Sequence, residues 1–270
     1  MKILELFAGI GACSTALKRL GLDIEIVDAV EIDKYAIASF NAIHNTNFEI
    51  QNITQWDKNI KDIDLITHGS PCQDFSVAGK QAGGDIGSGT RSSLMYETIR
   101  IVGQVRPKYV LWENVKNILS KKHKHNFDAY IETMNVLGYN SYYQVLNAKD
   151  YGIPQNRERV FTVSIRKDID KGNFIFPEKE ELNLRLKDML EENVEEKYFI
   201  NKTLNLKIGD TRVSWDNSGK GYNSQQDRAY YQDGLCPTLS NCNTNGDKSQ
   251  VVLMDKNGVQ NERNLRIDKK

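Results

Sequence analysis

Short apolar runs alternate with amphipathic stretches along the first part of the chain. Ile3 to Phe7, Ile24 to Val30, Ile63 to Thr67 and Tyr109 to Trp112 read as strands, and Ala12 to Leu20 and Tyr35 to Ile43 as helices. Near-continuous apolar strands separated by one-sided helices need cover on both faces, so a mostly parallel α/β sheet is expected. Asp33 is placed to cap the second helix. A further helix starts at Ser92 or Ser93 and runs through Glu97 to Val105, where Pro107 prevents its continuation. Val145 to Asn147 and Val160 to Ile165 add later strands. Beyond about Lys171 the apolar periodicity fades, and Asn, Ser, Gly and charged residues dominate from Lys207 to Asn264. With 270 residues and 39% hydrophobic content, one substantial core and a smaller module are affordable, so domains 1–170 and 171–270 are expected, the second loop-rich. The acidic runs Glu178 to Glu181 and Glu191 to Glu196 read as a connector and a solvated face.

Composition excludes several classes. The four cysteines, Cys13, Cys72, Cys236 and Cys242, form no C-x-x-C pair, against a zinc ribbon, a thioredoxin-type motif or a disulfide scaffold, and no metal site is expected. No run approaches the roughly 20 apolar residues of a membrane span, and the start lacks a signal-peptide pattern, so a cytoplasmic protein is expected. With 36 basic and 36 acidic side chains the formal charge is +0, so any nucleic-acid contact must come from locally placed cations.

The chemistry-bearing residues cluster at predicted strand ends. Ile3 to Phe7 runs into Ala8-Gly9-Ile10-Gly11 and a helix, which turns backbone amides towards the carboxyl edge of the sheet; a plain tight turn would look the same. The next strand ends in Glu31-Ile32-Asp33, where a carboxylate can bond ribose hydroxyls, and the two signals together indicate an adenosyl ligand. Ser70-Pro71-Cys72-Gln73-Asp74 follows the strand at Ile63 and presents a thiol from a proline-restrained loop at the same edge. Most lone cysteines are inert packed groups, as Cys13, Cys236 and Cys242 read here, but loop-borne Cys72 is a candidate nucleophile if its surroundings lower its pKa. Leu111-Trp112-Glu113-Asn114-Val115 delivers a carboxylate and an amide at another strand end, although a lone Glu there could equally cap a helix. Gln155, Arg157 and Arg159 alternate, so one strand face would carry all three, or they form a charged edge strand. Trp56 reads as packing.

Taken in order, Phe7-Ala8-Gly9-Ile10-Gly11, Pro71-Cys72-Gln73, Glu113-Asn114-Val115 and Gln155-Asn156-Arg157-Glu158-Arg159 resemble the motifs of cytosine-5 DNA methyltransferases. Thr90-Arg91-Ser92-Ser93-Leu94 is similar to the family's cofactor-side segment, and Cys236-Pro237-Thr238-Leu239-Ser240 to its Pro-Thr-Leu element near the end of the recognition region. The resemblance covers residues 1 to 166, with that weaker echo later.

It implies a Rossmann-like class I methyltransferase domain followed by a smaller, loop-rich target-recognition domain. It further implies transfer of a methyl group from S-adenosylmethionine to carbon 5 of a cytosine flipped out of double-stranded DNA. Cys72 would supply the thiolate that adds at carbon 6, and Glu113 would bond the ring and donate a proton. Arg159 and Arg157 would hold the cytosine carbonyl and a phosphate, Gln155 would support them, and Asn114 would hold the cysteine loop. Phe7, Gly9, Gly11, Glu31, Ile32, Asn52, Pro71 and Leu94 would hold the cofactor.

DNA contacts are expected from Lys207, Arg212, Lys220 and Arg228 among Trp215, Tyr222, Tyr230, Tyr231, Asn217, Asn223 and Gln225, although such polar segments are often merely solvated. The basic stretch Lys116, Lys121, Lys122, His123, Lys124 and His125 reads equally as a DNA-backbone contact or a solvated helix start. Two positions depart from the pattern: Asn52 stands where an aspartate contacts adenine, and Ala12 where a third glycine is common. The chain also stops at Lys270, before the family's closing segment. The resemblance therefore leaves open a truncated form or a split enzyme completed by a second polypeptide. A transfer-RNA-directed methyltransferase and a non-catalytic DNA-binding module are the rival readings. A nicotinamide-dependent oxidoreductase would leave Cys72, Glu113 and Arg159 without a joint task. A bacterial or bacteriophage source is expected.

Overall fold

The computed structural model describes residues 1–71, 91–191, 195, 206–208, 213–215, 228–237 and 253–254. The chain divides into two compact units, residues 1–146 with 158–177, and residues 147–157 with 178–270. Cys72, Cys242, Arg212, Lys220, Tyr222, Asn217, Asn223, Gln225 and Thr238 to Ser240 lie outside the described residues.

The first unit is built on β1 (Lys2–Leu6), α1 (Ala12–Arg19), β2 (Glu25–Val30), α2 (Lys34–His44), β3 (Leu65–His68), α3 (Met95–Val105), β4 (Tyr109–Val115), α4 (Lys124–Val136), β5 (Tyr139–Asn147) and, after a two-residue strand β6 (Gln155–Asn156), β7 (Glu158–Arg166). Six of these strands form one sheet in the order β2-β1-β3-β4-β7-β5. β1 pairs in parallel with β2 and β3, β3 pairs in parallel with β4, and β4 pairs antiparallel with β7. This is the mostly parallel α/β sheet the apolar runs predict. The chain reverses direction across β1, since β2 lies on one side of it and β3 on the other. A crevice therefore opens beyond the carboxyl ends of β1 and β3, where sheets of this kind bind ligands.

All but the first residue of β1 and every residue of β3 are buried, so both faces of the sheet are covered. Leu4 and Leu6 of β1, Ile66 of β3 and Val110 and Trp112 of β4 pack with Met95, Ile101 and Val102 of α3 and Phe127, Tyr130 and Met134 of α4. On the opposite face Ala8 and Ala29 pack against Ile37 and Phe40 of α2. Trp56 is buried as expected, and its Nε1 donates to Asp28 Oδ2 at 2.9 Å.

Some boundaries differ from the expectations. β3 starts two residues late, at Leu65, because buried Ile63 fills the core just ahead of the paired segment. A short 3-10 turn, Arg91–Leu94, precedes α3. β5 is longer than Val145 to Asn147, and α4 begins within the basic stretch, at Lys124, with Asn126 buried among its apolar positions. The expected strand face carrying Gln155, Arg157 and Arg159 together is not formed. The strand breaks at Arg157: Gln155 and Asn156 pair in parallel with β11 (Cys236–Pro237) in the second unit, and β7 begins only at Glu158.

Within the second unit, β8 (Leu206–Ile208), β9 (Val213–Trp215), β10 (Arg228–Tyr231) and β12 (Leu253–Met254) form a sheet in the order β12-β10-β9-β8. Among the described residues no helix is long and apolar enough to cross a membrane.

Candidate active site

The turn after β1 is made by backbone in the left-handed region: Phe7 has φ 53°, Gly9 φ 56° and Gly11 φ 79°. For Phe7 this conformation is strained, and strain of that kind persists where surrounding contacts over-determine it. Here Ala8 N donates to Val30 O at 3.1 Å, Gly11 N to Ala8 O at 2.9 Å and Gly9 N to Glu31 Oε2 at 2.9 Å. Gly11 is closely packed. A Cβ there would run into the His44 ring and stand 2.7 Å from Phe40 Cε2, and His44 Nε2 lies 3.1 Å from the Gly11 carbonyl. Gly11→Ala is therefore expected to destabilise the fold by about 3 kcal/mol, combining left-handed strain with overpacking. Urea denaturation of wild type and variant measures this directly.

Glu31 joins the two loops at the crevice, its Oε1 accepting from the Ile32 and Asp33 amides at 2.8 Å each. Asp33 caps α2 as predicted, accepting from the Tyr35 and Ala36 amides at 2.8 and 2.9 Å. Asn52 Oδ1 accepts from Thr54 N at 3.1 Å and so caps the 3-10 turn Ile53–Gln55. That turn is clamped by Arg100 of α3, which no local motif marks: its Nη2 donates to Ile53 O at 2.9 Å and its Nη1 to Trp56 O at 3.0 Å.

Between these loops lies a cavity of about 720 Å³. Phe7, Glu31, Ile32, Asn52, Pro71 and Leu94 line it, with Val30, Asp33, Gln51, Ile53, Gly69, Ser70 and Glu113. Six of the eight residues singled out for a cofactor are thus gathered on one wall system. Gly9 donates its amide to Glu31, and Gly11 packs against His44 and Phe40. A volume of this size with apolar walls and a few convergent polar groups suits a nucleoside-sized ligand.

Glu113 reaches the same cavity from β4. Its carboxylate pairs with Arg159, Nε to Oε1 at 2.9 Å. The antiparallel register explains this: Val115 faces Arg159 and Glu113 faces Phe161, so Arg159 lies diagonal to Glu113 on one sheet face. A Cβ on Gly69 would stand 3.7 Å from Glu113 Oε2, which puts the carboxylate beside the segment leading to position 72.

Asn114, on the opposite face of the strand, bears on that segment differently. Its Nδ2 lies 3.5 Å from Ser70 Oγ, which also accepts from Trp112 Nε1 at 3.1 Å. Ser70 and Trp112 were missed as site residues by the sequence reading, although the alternation of β4 puts Trp112 and Asn114 on one face.

Arg157 lies in the second unit, where its amide donates to Asn147 Oδ1 at 3.0 Å. Burial pushes the Cys13 thiol up to about 11, in keeping with a packed group, and likewise pushes the Cys236 thiol up. In the basic stretch, Lys116, Lys121, Lys122 and Lys124 are all exposed, and Lys116 pairs with Glu158 at 2.9 Å and Lys124 with Asp128. His123 is buried, so it belongs to the core and not to a solvated basic face.

Residues 1–268 match the family model described as C-5 cytosine-specific DNA methylase. Among curated proteins, the chain is 38% identical over 252 residues to Type II methyltransferase M.HhaI of Haemophilus parahaemolyticus, covering 89% of this chain and 74% of that one. It is 35% identical over 254 residues to Type II methyltransferase M2.ScrFI of Lactococcus lactis subsp. cremoris, covering 74% of this chain and 70% of the relative. Among solved structures, DNMT2 of Spodoptera frugiperda superposes with a TM-score of 0.64 at 24% identity, over 94% of this chain and 75% of that one. The Rossmann-like sheet is thus shared with known methyltransferases, and this chain belongs to the C-5 cytosine-specific DNA methylase family.

Proposed function

We propose that this chain transfers a methyl group from S-adenosylmethionine to carbon 5 of cytosine in double-stranded DNA, through a covalent adduct on Cys72. The observation that carries the reading is the meeting of two sets of residues at one cavity. Phe7, Glu31, Ile32, Asn52 and Leu94 make a nucleoside-sized wall, and Pro71, next to Cys72 in sequence, and the Glu113 carboxylate line it too.

Glu31 is suited to ribose hydroxyls, since a carboxylate already held by three amides keeps acceptor capacity. The neighbouring apolar residues suit adenine, and at position 52 an amide replaces the more usual carboxylate. When bound, the cofactor supplies an electrophilic methyl group on sulfonium.

The residues of the chain do the rest. The Cys72 thiolate adds to carbon 6 of the base, Glu113 bonds the ring nitrogen and exocyclic amine and gives a proton, and electron density moves to carbon 5. After methyl transfer, loss of the carbon-5 proton expels the thiolate and restores the aromatic ring. Arg159 holds Glu113 in place and neutralises charge at the cytosine carbonyl. The target base must leave the helix, at an unstacking cost of a few kcal/mol.

The first unit is the catalytic and cofactor-binding part in this reading, and the second is the target-recognition part. Arg157, Lys207, Arg228 and Tyr230 of the second unit and Lys121 and Lys122 of the first are assigned to DNA contacts. Bacterial and phage relatives make a cytoplasmic methyltransferase the natural setting.

Tritium transfer from labelled S-adenosylmethionine tests the substrate. Label is expected in carbon 5 of duplex DNA, with transfer RNA labelled at least about 100-fold less well, a difference of roughly 2.7 kcal/mol in transition-state binding. Label appearing preferentially in transfer RNA would overturn the DNA assignment.

A further inference from the structure

We propose that Trp112 is a positioning residue: its indole N–H, acting through the Ser70 hydroxyl, fixes the root of the Cys72 loop, and His68 and Tyr130 hold the indole in the orientation this requires. The inference rests on the reading of Cys72 as the nucleophile.

Trp112 and His68 face each other across the parallel pair of β3 and β4. Their rings stack 5.6 Å apart with planes 6° from parallel. Tyr130 of α4 packs on the indole with centroids 4.2 Å apart, and its hydroxyl lies 3.0 Å from His68 Nε2. Phe127 stacks on the indole at 5.7 Å. Trp112, Tyr130 and Phe127 are at most 1% exposed and His68 is 3% exposed. Burial pushes the imidazole down to about 3, so the ring is neutral at ordinary pH and packs as an aromatic.

A large buried ring held by three others has one polar atom to satisfy. The indole N–H, a donor only, meets that need at Ser70 Oγ, 3.1 Å away in a residue that is 3% exposed. Asn114 Nδ2 reaches the same oxygen from 3.5 Å, so β4 delivers two donors to one hydroxyl.

Position 70 is an effective place to hold this loop. The residue before a proline is confined to extended backbone, and proline itself has a fixed φ. Few soft dihedrals therefore lie between the anchored Ser70 and Pro71, so a restraint at the hydroxyl acts at the root of the loop. A phenylalanine would fill this space without a donor, whereas the indole aims its N–H at the residue that opens the loop.

The test uses the full chain, S-adenosylmethionine and a duplex carrying 5-fluorocytosine, with single-turnover formation of the covalent adduct as readout. Trp112→Phe keeps the ring and removes the donor; Ser70→Ala removes the acceptor from the other side. Each is expected to slow adduct formation about 10- to 100-fold, the scale of a misplacement of roughly 1 Å. For Trp112→Phe, at a residue that does not line the cavity, cofactor and duplex dissociation constants should stay within about twofold, and the double variant should be no slower than the slower single one. Variant rates within twofold of wild type would overturn the proposal, as would cofactor affinity falling in step with the rate, which marks a general packing defect. Failure of wild type itself to form an adduct would instead remove the Cys72 reading and this inference with it.

Discussion

Replacing Cys72 by serine is expected to lower methyl transfer to duplex DNA by at least ~10³-fold while leaving cofactor and DNA affinity within about twofold. The thiolate is the species that attacks, and a serine hydroxyl is ionised far less readily, so the ring is never activated for methyl transfer. Binding should survive because most residues assigned to the cofactor sit on other loops, at Phe7, Glu31, Ile32, Asn52 and Leu94, and Pro71 is unchanged by the substitution. Methylation measured by tritium transfer, beside titrations of cofactor and duplex, separates the two effects. Loss of both together would show that the residue supports the pocket and does not do chemistry.

Glu113→Gln is the second change with a large expected effect. The amide keeps the shape of the side chain and can still bond the base, but it cannot give the proton that accompanies thiolate addition. A fall in kcat of about 10²- to 10⁴-fold is expected, with a much smaller change in KM for DNA. The substitution also removes the partner of Arg159, whose side chain is only 17% exposed beside a carboxylate 2.9 Å away. A melting curve run alongside shows how much of the loss is structural. If kcat falls only in proportion to the folded fraction, the role of Glu113 is confined to holding Arg159.

Both expectations concern residues readable before any coordinates, and the reason is local. Glycine turns, Pro-Cys loops and carboxylates at strand ends carry their signal in adjacent residues. β1, β2, the cap at Asp33 and the gathering of Glu31, Asn52, Pro71 and Glu113 at one edge follow from such signals. What was not legible depends on partners distant in sequence. The break at Arg157 arises because Gln155 pairs with Cys236, a contact no local periodicity encodes. The Glu113–Arg159 pair requires the antiparallel register of β4 and β7.

Tertiary contacts also reshape two local signals. His123 sits in a lysine-rich run yet is buried, because the turn ahead of α4 folds it inwards. At Gly11 the contact with His44 and Phe40 adds a packing reason for glycine to the one read from the turn. Ser70 and Trp112 were overlooked for want of any rule linking an indole to a hydroxyl 42 residues earlier.

The most direct measurement of the central claim is covalent capture on a denaturing gel. Incubated with S-adenosylmethionine and a 5-fluorocytosine duplex, the protein should give a shifted, heat-stable protein–DNA band that disappears in Cys72→Ser and without cofactor. Robust methylation of ordinary duplex DNA with no such band, or an equal band from Cys72→Ser, would contradict the covalent mechanism.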